Sequence, residues 1–258
     1  FLLINESYLF NNLIPRSGEI IKIFQFSGSA SEPAMKVFSK VIVERALDLT
    51  IAALLVLSTI PFITQLQTVQ TAAKFLLILL IILFIAIFII AFNAEKTKTW
   101  LGSLSTSGSV YQQKILPRIE MTIDGFKVLT NLRQFLSIFL WILVTWFLWT
   151  VVLFYGIFAI YPEARFWWAM FTEGVLALGI ALPSAPAGLG VFEGSMIVAL
   201  SVFDITTENA LGISIIIHII QIVLTSLIGV IAVITQGNTF SEIISRIQSS
   251  RRRNLAEK

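Results

Sequence analysis

The run FLLILLIILFIAIFIIAF, Phe75 to Phe92, contains no charge and no hydrogen-bonding side chain. A helix that crosses the hydrocarbon core of a bilayer needs about 20 mostly apolar residues. This stretch therefore predicts a spanning helix on its own. Working outward, a second run covers Ala46 to Phe62 and starts a turn or two earlier, near Val37. A third covers Phe135 to Ile160 and carries Trp141, Trp146 and Trp149. A fourth covers Leu211 to Ile234. Between the last two, 167–203 has two apolar arms separated by Pro183-Ser-Ala-Pro-Ala-Gly-Leu-Gly190.

Composition agrees with this reading. Of 258 residues, 57% are hydrophobic and 13% charged. Soluble domains carry about 25% charged residues, and half that density does not cover a water-facing surface. A secreted module, a cytosolic enzyme and a nucleic-acid binder are excluded. The net charge of +3 is thus not a nucleic-acid footprint. Cysteine is absent, which removes disulfides, thiolate metal sites and Cys nucleophiles. The first residue is Phe and no basic segment precedes an apolar core, so no signal peptide is recognisable and the chain reads as N-terminally incomplete.

In a membrane protein the position of Lys and Arg matters more than their sum. Five fall in 1–45, six in 93–134 and five after Thr235, out of 18. The positive-inside rule then makes those three stretches cytoplasmic. Segment 167–203 must accordingly enter from outside and return there. Its 37 residues fall short of the roughly 45 that two full spans and a turn require. Two short helices meeting at a Pro/Gly break inside the membrane fit better than two short ordinary spans with a tight proline turn. Such breaks must be buried in protein or line a wet cavity, and in transporters they point to the substrate site. In the loop 93–134, Ile115, Ile119, Ile123, Phe126, Leu129 and Leu132 recur at helical spacing and predict an interfacial amphipathic helix over 114–133.

The expected fold is all-α: one polytopic transmembrane helix bundle over 1–258, with a broken, re-entrant-like helix pair, a cytoplasmic amphipathic helix and a basic cytoplasmic tail, 235–258.

Ionisable residues at membrane depth are costly and usually functional. Four places qualify. Glu44-Arg45-Ala-Leu-Asp48 puts Arg45 and Asp48 at i,i+3 and both carboxylates on one face; it suits a cation or a lipid headgroup, or equally a structural ion pair. Asn12, Pro15, Arg16, Gly18, Glu19 and Lys22 form a break that offers backbone N–H groups and cations to a phosphate, or an ordinary turn at the membrane face. Pro183, Ser184, Pro186, Gly188, Gly190 and Glu193 form the mid-depth break, where Glu193 either caps a helix or couples to substrate or proton; Glu173 lies on the preceding arm. Ser214, His218, Gln221 and Thr225 fall on one face of the last span, as interhelical hydrogen-bond glue or as part of a translocation path. No nucleotide-binding glycine loop occurs, and one His without Cys is too few for a zinc site, so no cofactor and no metal are expected. No nucleophile elbow points to catalysis.

Three motifs in order, Asn-Asn-x-x-Pro-x-x-Gly-Glu from Asn11, Glu-Arg-x-x-Asp from Glu44 and Leu-Pro-x-x-Pro-x-Gly-x-Gly-x-x-Glu from Leu182, resemble the flippase-like membrane proteins, also described as the transmembrane region of lysylphosphatidylglycerol synthases. The resemblance runs from Asn11 to about Gly237. Lys22 stands where members commonly have Arg, Ala187 where a Gly is common, and His218 where Arg or His is frequent. It implies one or two spans before Phe1, a plasma-membrane location with a cytoplasmic C-terminus, and translocation of a lipid or lipid-linked glycan. Anionic phospholipids or polyisoprenoid-linked substrates are the implied partners, with a lipid-modifying enzyme as a further one. Synthase members carry their aminoacyl transfer on a soluble domain after the membrane region. This chain stops about twenty residues after the last span, so enzymatic activity is not expected of it. The alternative function is a non-transporting anchor or scaffold for a phospholipid aminoacyltransferase or glycosyltransferase.

Overall fold

The computed structural model describes residues 2–14, 17–63, 67–103, 110–181 and 185–235. Pro15, Arg16, Pro183, Ser184 and the basic tail lie outside the described residues. The described residues form α1 (Leu2–Leu13), α2 (Ser17–Ala30), α3 (Ala34–Thr59), α4 (Gln67–Phe92), α5 (Ala94–Ser103), α6 (Leu116–Phe126), α7 (Leu132–Phe158), α8 (Phe166–Ile180), α9 (Val191–Ser201) and α10 (Thr207–Thr235). No strand occurs among them. The chain is an all-α membrane protein. Lys74–Phe92, Leu132–Phe158 and Thr207–Thr235 are long and apolar enough to cross a bilayer. Their outer faces are bare hydrocarbon, with Ile82, Phe88, Leu140 and Ile216 exposed. That surface is stable in lipid and a liability in water. At 26 residues α3 is equally long, but Glu44, Arg45 and Asp48 interrupt its apolar run.

Two helical hairpins organise the interior. In the first, α1 and α2 lie side by side, and the Ser17 hydroxyl lies 2.8 Å from the Phe10 carbonyl oxygen and 2.9 Å from that of Ile14. Gly18 lets the arms close up: a Cβ there would sit 2.1 Å from the Ser7 carbonyl oxygen. In the second, α8 stops at Ala181, a short 3-10 turn covers Pro186–Gly188, and α9 begins after Gly190. Ala187, Gly188 and Gly190 all have positive φ, at 58°, 79° and 82°.

Each hairpin is followed by a long helix, and the first arms are exchanged. α1 packs antiparallel on α10, with Gly229 against Leu9 and Asn5, and Asn12 beside Thr225 and Ser226. α8 packs antiparallel on α3, with Gly174 against Ala52 and Val56, and Trp167 stacked on Phe62. Small residues at both crossings let the backbones approach, which is how helices associate where lipid removes the hydrophobic drive. The hairpins thus enter from opposite ends of the bundle, and α1 meets the Pro186–Gly188 turn inside it.

α1, which carries none of the Lys and Arg residues of 1–45, packs inside the bundle. Glu6 and Phe10 are buried inside the bundle. Asn5, Glu6 and Ser7 lie together and buried on α1, and these polar side chains keep the described helix from registering as a span by hydropathy. The amphipathic helix expected over 114–133 falls on a run of helical turns, with a π-helical turn at Tyr111–Ile115 leading into α6. α6 covers 11 residues and continues as a 3-10 turn to Thr130. Asn131 is extended and caps α7 by accepting from the Gln134 N–H at 3.2 Å. Ile123 and Phe126 are buried, and Phe126 packs with Val43, Leu47 and Ile87, while Ile115 and Leu132 at the ends of the stripe are exposed. Gly125 seats α6 on α3 beside Ser39.

Ion pairs reinforce this docking outside the spans. Asp124 bonds Lys98 at 2.7 Å and Lys127 at 2.9 Å. Burial opposes ionisation of Asp124, but the two ammonium groups outweigh it and hold the carboxyl below the usual range. Hydrogen bonding to Lys40 does the same, chiefly, for Glu32.

Candidate functional site

A charged cluster lies where α2, α3 and α7 meet. Lys22 Nζ bonds both carboxylate oxygens of Glu44 at 2.6 Å. Arg45 Nη2 reaches Glu44 at 3.1 Å and Asp48 at 3.2 Å. The Trp146 indole N–H donates to Asp48 at 3.1 Å. Tyr8 of α1 is within electrostatic reach of all three α3 charges. The cluster is balanced, two cations against two carboxylates. Its cationic end is nevertheless open: the Arg45 side chain is 51% exposed, against 15% for Lys22. A guanidinium in that position can take a phosphate bidentately without leaving Asp48.

One turn along α7, the Thr150 hydroxyl bonds the buried Glu173 carboxyl of α8, and also lies 3.0 Å from the Trp146 carbonyl oxygen. Polar contacts thus join Lys22 on α2 to the Trp146 indole on α7, and Thr150 one turn along α7 to Glu173 on α8, as two groups on the same helix. No cation lies within ion-pair distance of Glu173 among the described residues.

The second cluster holds the break in place. Gly190 donates its N–H to Glu193 Oε2 at 2.6 Å, closing the first turn of α9. Glu193 Oε1 lies 2.6 Å from His218 Nδ1, and His218 Nε2 lies 2.9 Å from the Ala187 carbonyl oxygen. Phe192 stacks on the imidazole, with centroids 4.0 Å apart. Glu193 thus caps α9 and joins it to α10. Ala187 holds the left-handed conformation at a position where the resembled family commonly has Gly. Gly190→Ala tests the backbone requirement separately. Its Cβ would meet no atom within 4 Å, so the expected loss of about 1–3 kcal/mol is purely conformational. A thermal unfolding midpoint in detergent would register it.

The polar stripe of α10 faces inward. Ser214 and His218 are buried, Gln221 and Thr225 half-buried, and Ile215, Ile216, Ile219 and Ile220 exposed. Asn12 Nδ2 donates to Thr225 at 3.2 Å and Ser226 at 3.0 Å. The stripe thereby joins the tip of one hairpin to the break of the other.

Not every expected residue joins these clusters. Glu19 is exposed and forms no ion pair among the described residues. Gly18 acts through close packing, with its N–H donating to Asn11 Oδ1 at 3.3 Å. Pro186, Gly188 and Gly190 supply turn geometry rather than side-chain chemistry. Pro15, Arg16, Pro183 and Ser184 fall outside the described residues. Trp146, Thr150, Tyr8 and Ser226 were missed from the sequence. Trp146, Thr150 and Ser226 lie on apolar spans and Tyr8 on the polar α1, and only long-range packing brings them to these clusters. No group of three or more His, Asp or Glu residues suited to a metal occurs among the described residues.

Spanning helices, an interior of paired charges and two interrupted helix pairs define a multi-pass integral membrane protein. A family profile described as "Lysylphosphatidylglycerol synthase TM region" matches residues 1–229. The chain belongs to that family. No curated protein and no solved structure matches it.

Proposed function

We propose that this protein binds an anionic amphipathic lipid, a phospholipid or a polyisoprenoid-linked glycan, and moves its headgroup across the bilayer. The observation that carries this reading is the meeting of two hairpins from opposite ends of the bundle, with α1 against the Pro186–Gly188 turn. Interrupted helices that meet at depth are the arrangement by which transporters place a substrate site where both sides can reach it. The half-exposed Arg45, with Lys22 beside it, receives the phosphate. The polar groups of Asp48, Trp146, Thr150 and Glu173 line the path, and His218 and Glu193 form its far wall. The acyl or isoprenoid chains stay in lipid along the apolar outer faces.

The test is leaflet exchange of fluorescent phosphatidylglycerol in vesicles containing the full-length protein. Exchange well above empty vesicles is expected. Arg45→Ala removes a charge-assisted contact of about 1.5–3 kcal/mol, which corresponds to roughly a ten- to hundredfold slower rate. A folded protein with no exchange for phospholipid or polyisoprenoid probes, and a co-purifying lipid-modifying enzyme, would instead establish the scaffold role.

A further inference from the structure

We propose that the His218–Glu193 pair is a proton-binding site that latches the break to α10, so that lipid movement is coupled to a proton. The inference rests on the translocation reading for its purpose and on hydrogen-bond chemistry for its substance. His218 Nε2 faces a backbone carbonyl oxygen, Ala187 O, at 2.9 Å. A carbonyl only accepts, so Nε2 carries a hydrogen. A neutral imidazole has one ring hydrogen, and that one is then used. Nδ1 lies 2.6 Å from Glu193 Oε1. A bare Nδ1 lone pair against an ionised carboxylate would be repulsive at that separation. One further proton must sit between them, as imidazolium with carboxylate or as imidazole with carboxylic acid. The other carboxylate oxygen is occupied by the Gly190 N–H.

The surroundings offer that proton no alternative. The His218 side chain is 3% exposed and that of Glu193 17%, and Phe192 covers one face of the ring. No ion pair of Glu193 with any other charged group occurs among the described residues. The titratable and charged groups on the elements around the pair are Glu173 on α8, Arg133 and Tyr155 on α7, Glu208 on α10 itself, and Glu6 and Tyr8 on α1. Glu173 is bonded to Thr150, and Tyr8 is grouped with the α3 charges.

Loss of the proton turns the 2.6 Å contact repulsive and frees the first turn of α9 from α10. Because α1 touches the same turn, release of the break changes the meeting point of the hairpins. The proton enters at Nδ1–Oε1 and leaves to water when the break opens.

This is the sole histidine in the chain, so its nitrogen NMR spectrum reports the pair without assignment. For the purified protein near neutral pH, a proton shared between Nδ1 and the carboxyl group is expected, together with Nε2–H. Glu193→Gln is the matched variant. Its amide N–H donates to Nδ1 while Nε2–H still bonds Ala187, so the latch closes on a neutral ring with no extra proton. The shared-proton signal should vanish in Glu193→Gln while the fold persists. A wild-type ring with neither a proton nor a shared-proton signal at Nδ1 overturns the proposal.

The coupling is read in vesicles carrying fluorescent phosphatidylglycerol. A gradient of about one pH unit is expected to bias the leaflet distribution by up to about tenfold in the wild type and not at all in Glu193→Gln. Exchange that ignores the gradient in the wild type overturns the coupling. A shared proton without exchange of any lipid leaves the proton site standing and removes the translocation reading.

Discussion

Glu193→Ala should abolish leaflet exchange and lower the stability of the purified protein by about 3–5 kcal/mol, the usual cost of breaking a buried charge pair by removing one partner. Two groups lose their bonding partner at once. Gly190 keeps an N–H at a helix start with nothing to receive it, and His218 keeps an Nδ1 in a site 3% exposed. The Gly190 bond is the cap of α9, a contact worth about 1 kcal/mol. Glu193→Gln should cost less than half as much, because its amide restores both hydrogen bonds. Denaturation midpoints in detergent for the two variants separate a loss of bonding from a loss of charge. Equal midpoints would mean that the carboxylate is not what holds the break.

Gly18→Val should have the other large effect, and by a different route. The added Cβ would lie 2.1 Å from the Ser7 carbonyl oxygen and 3.1 Å from the Asn11 Cβ. Backbone on the facing arm cannot step aside as a flexible side chain can, so α1 and α2 must part. Overpacking of this kind costs about 1–3 kcal/mol, occasionally more. Parting the arms also pulls Asn12 away from Thr225 and Ser226, and Lys22 away from Glu44. The expected result is a cooperative loss in thermal midpoint together with a collapse of lipid exchange. Gly212→Ala on α10 is the control. Nothing lies within 4 Å of its added Cβ, and a helix-interior alanine should add up to about 1 kcal/mol. A Gly18→Val protein as stable as wild type would show that the hairpin is not packed as described.

Much of the architecture was legible without coordinates. The run Phe75–Phe92 can be nothing but a membrane helix, because 18 residues without a polar side chain leave no other solvent for them. The arms on either side of Pro183–Gly190 were legible as two short helices, because the segment is too short for two spans and Gly and Pro disrupt a helix where they cluster. Arg45 and Asp48 could be paired from their i,i+3 spacing alone.

The site was legible only in pieces. Glu193 could be placed in the first turn of a helix, and His218 on a polar stripe of another, but 25 residues separate them in the chain. Local spacing carries no information about a contact of that kind. The first hairpin was legible only as a chain break at Pro15 and Gly18, because Asn5, Glu6 and Ser7 hide that α1 packs inside the bundle. A hydropathy window long enough to find spans averages such a segment away.

The sequence by itself determined the solvent, the helical class and which side chains had reason to be inside, because transfer of a residue from water to hydrocarbon depends on that residue's own chemistry. Only the tertiary structure decided that α1 packs on α10 and α8 on α3, that Lys22 meets Glu44, and that Glu193 meets His218 beside the Ala187 carbonyl. Those outcomes depend on close approach at Gly18, Gly174 and Gly229. A missing Cβ creates room only for a partner that the rest of the chain has brought there.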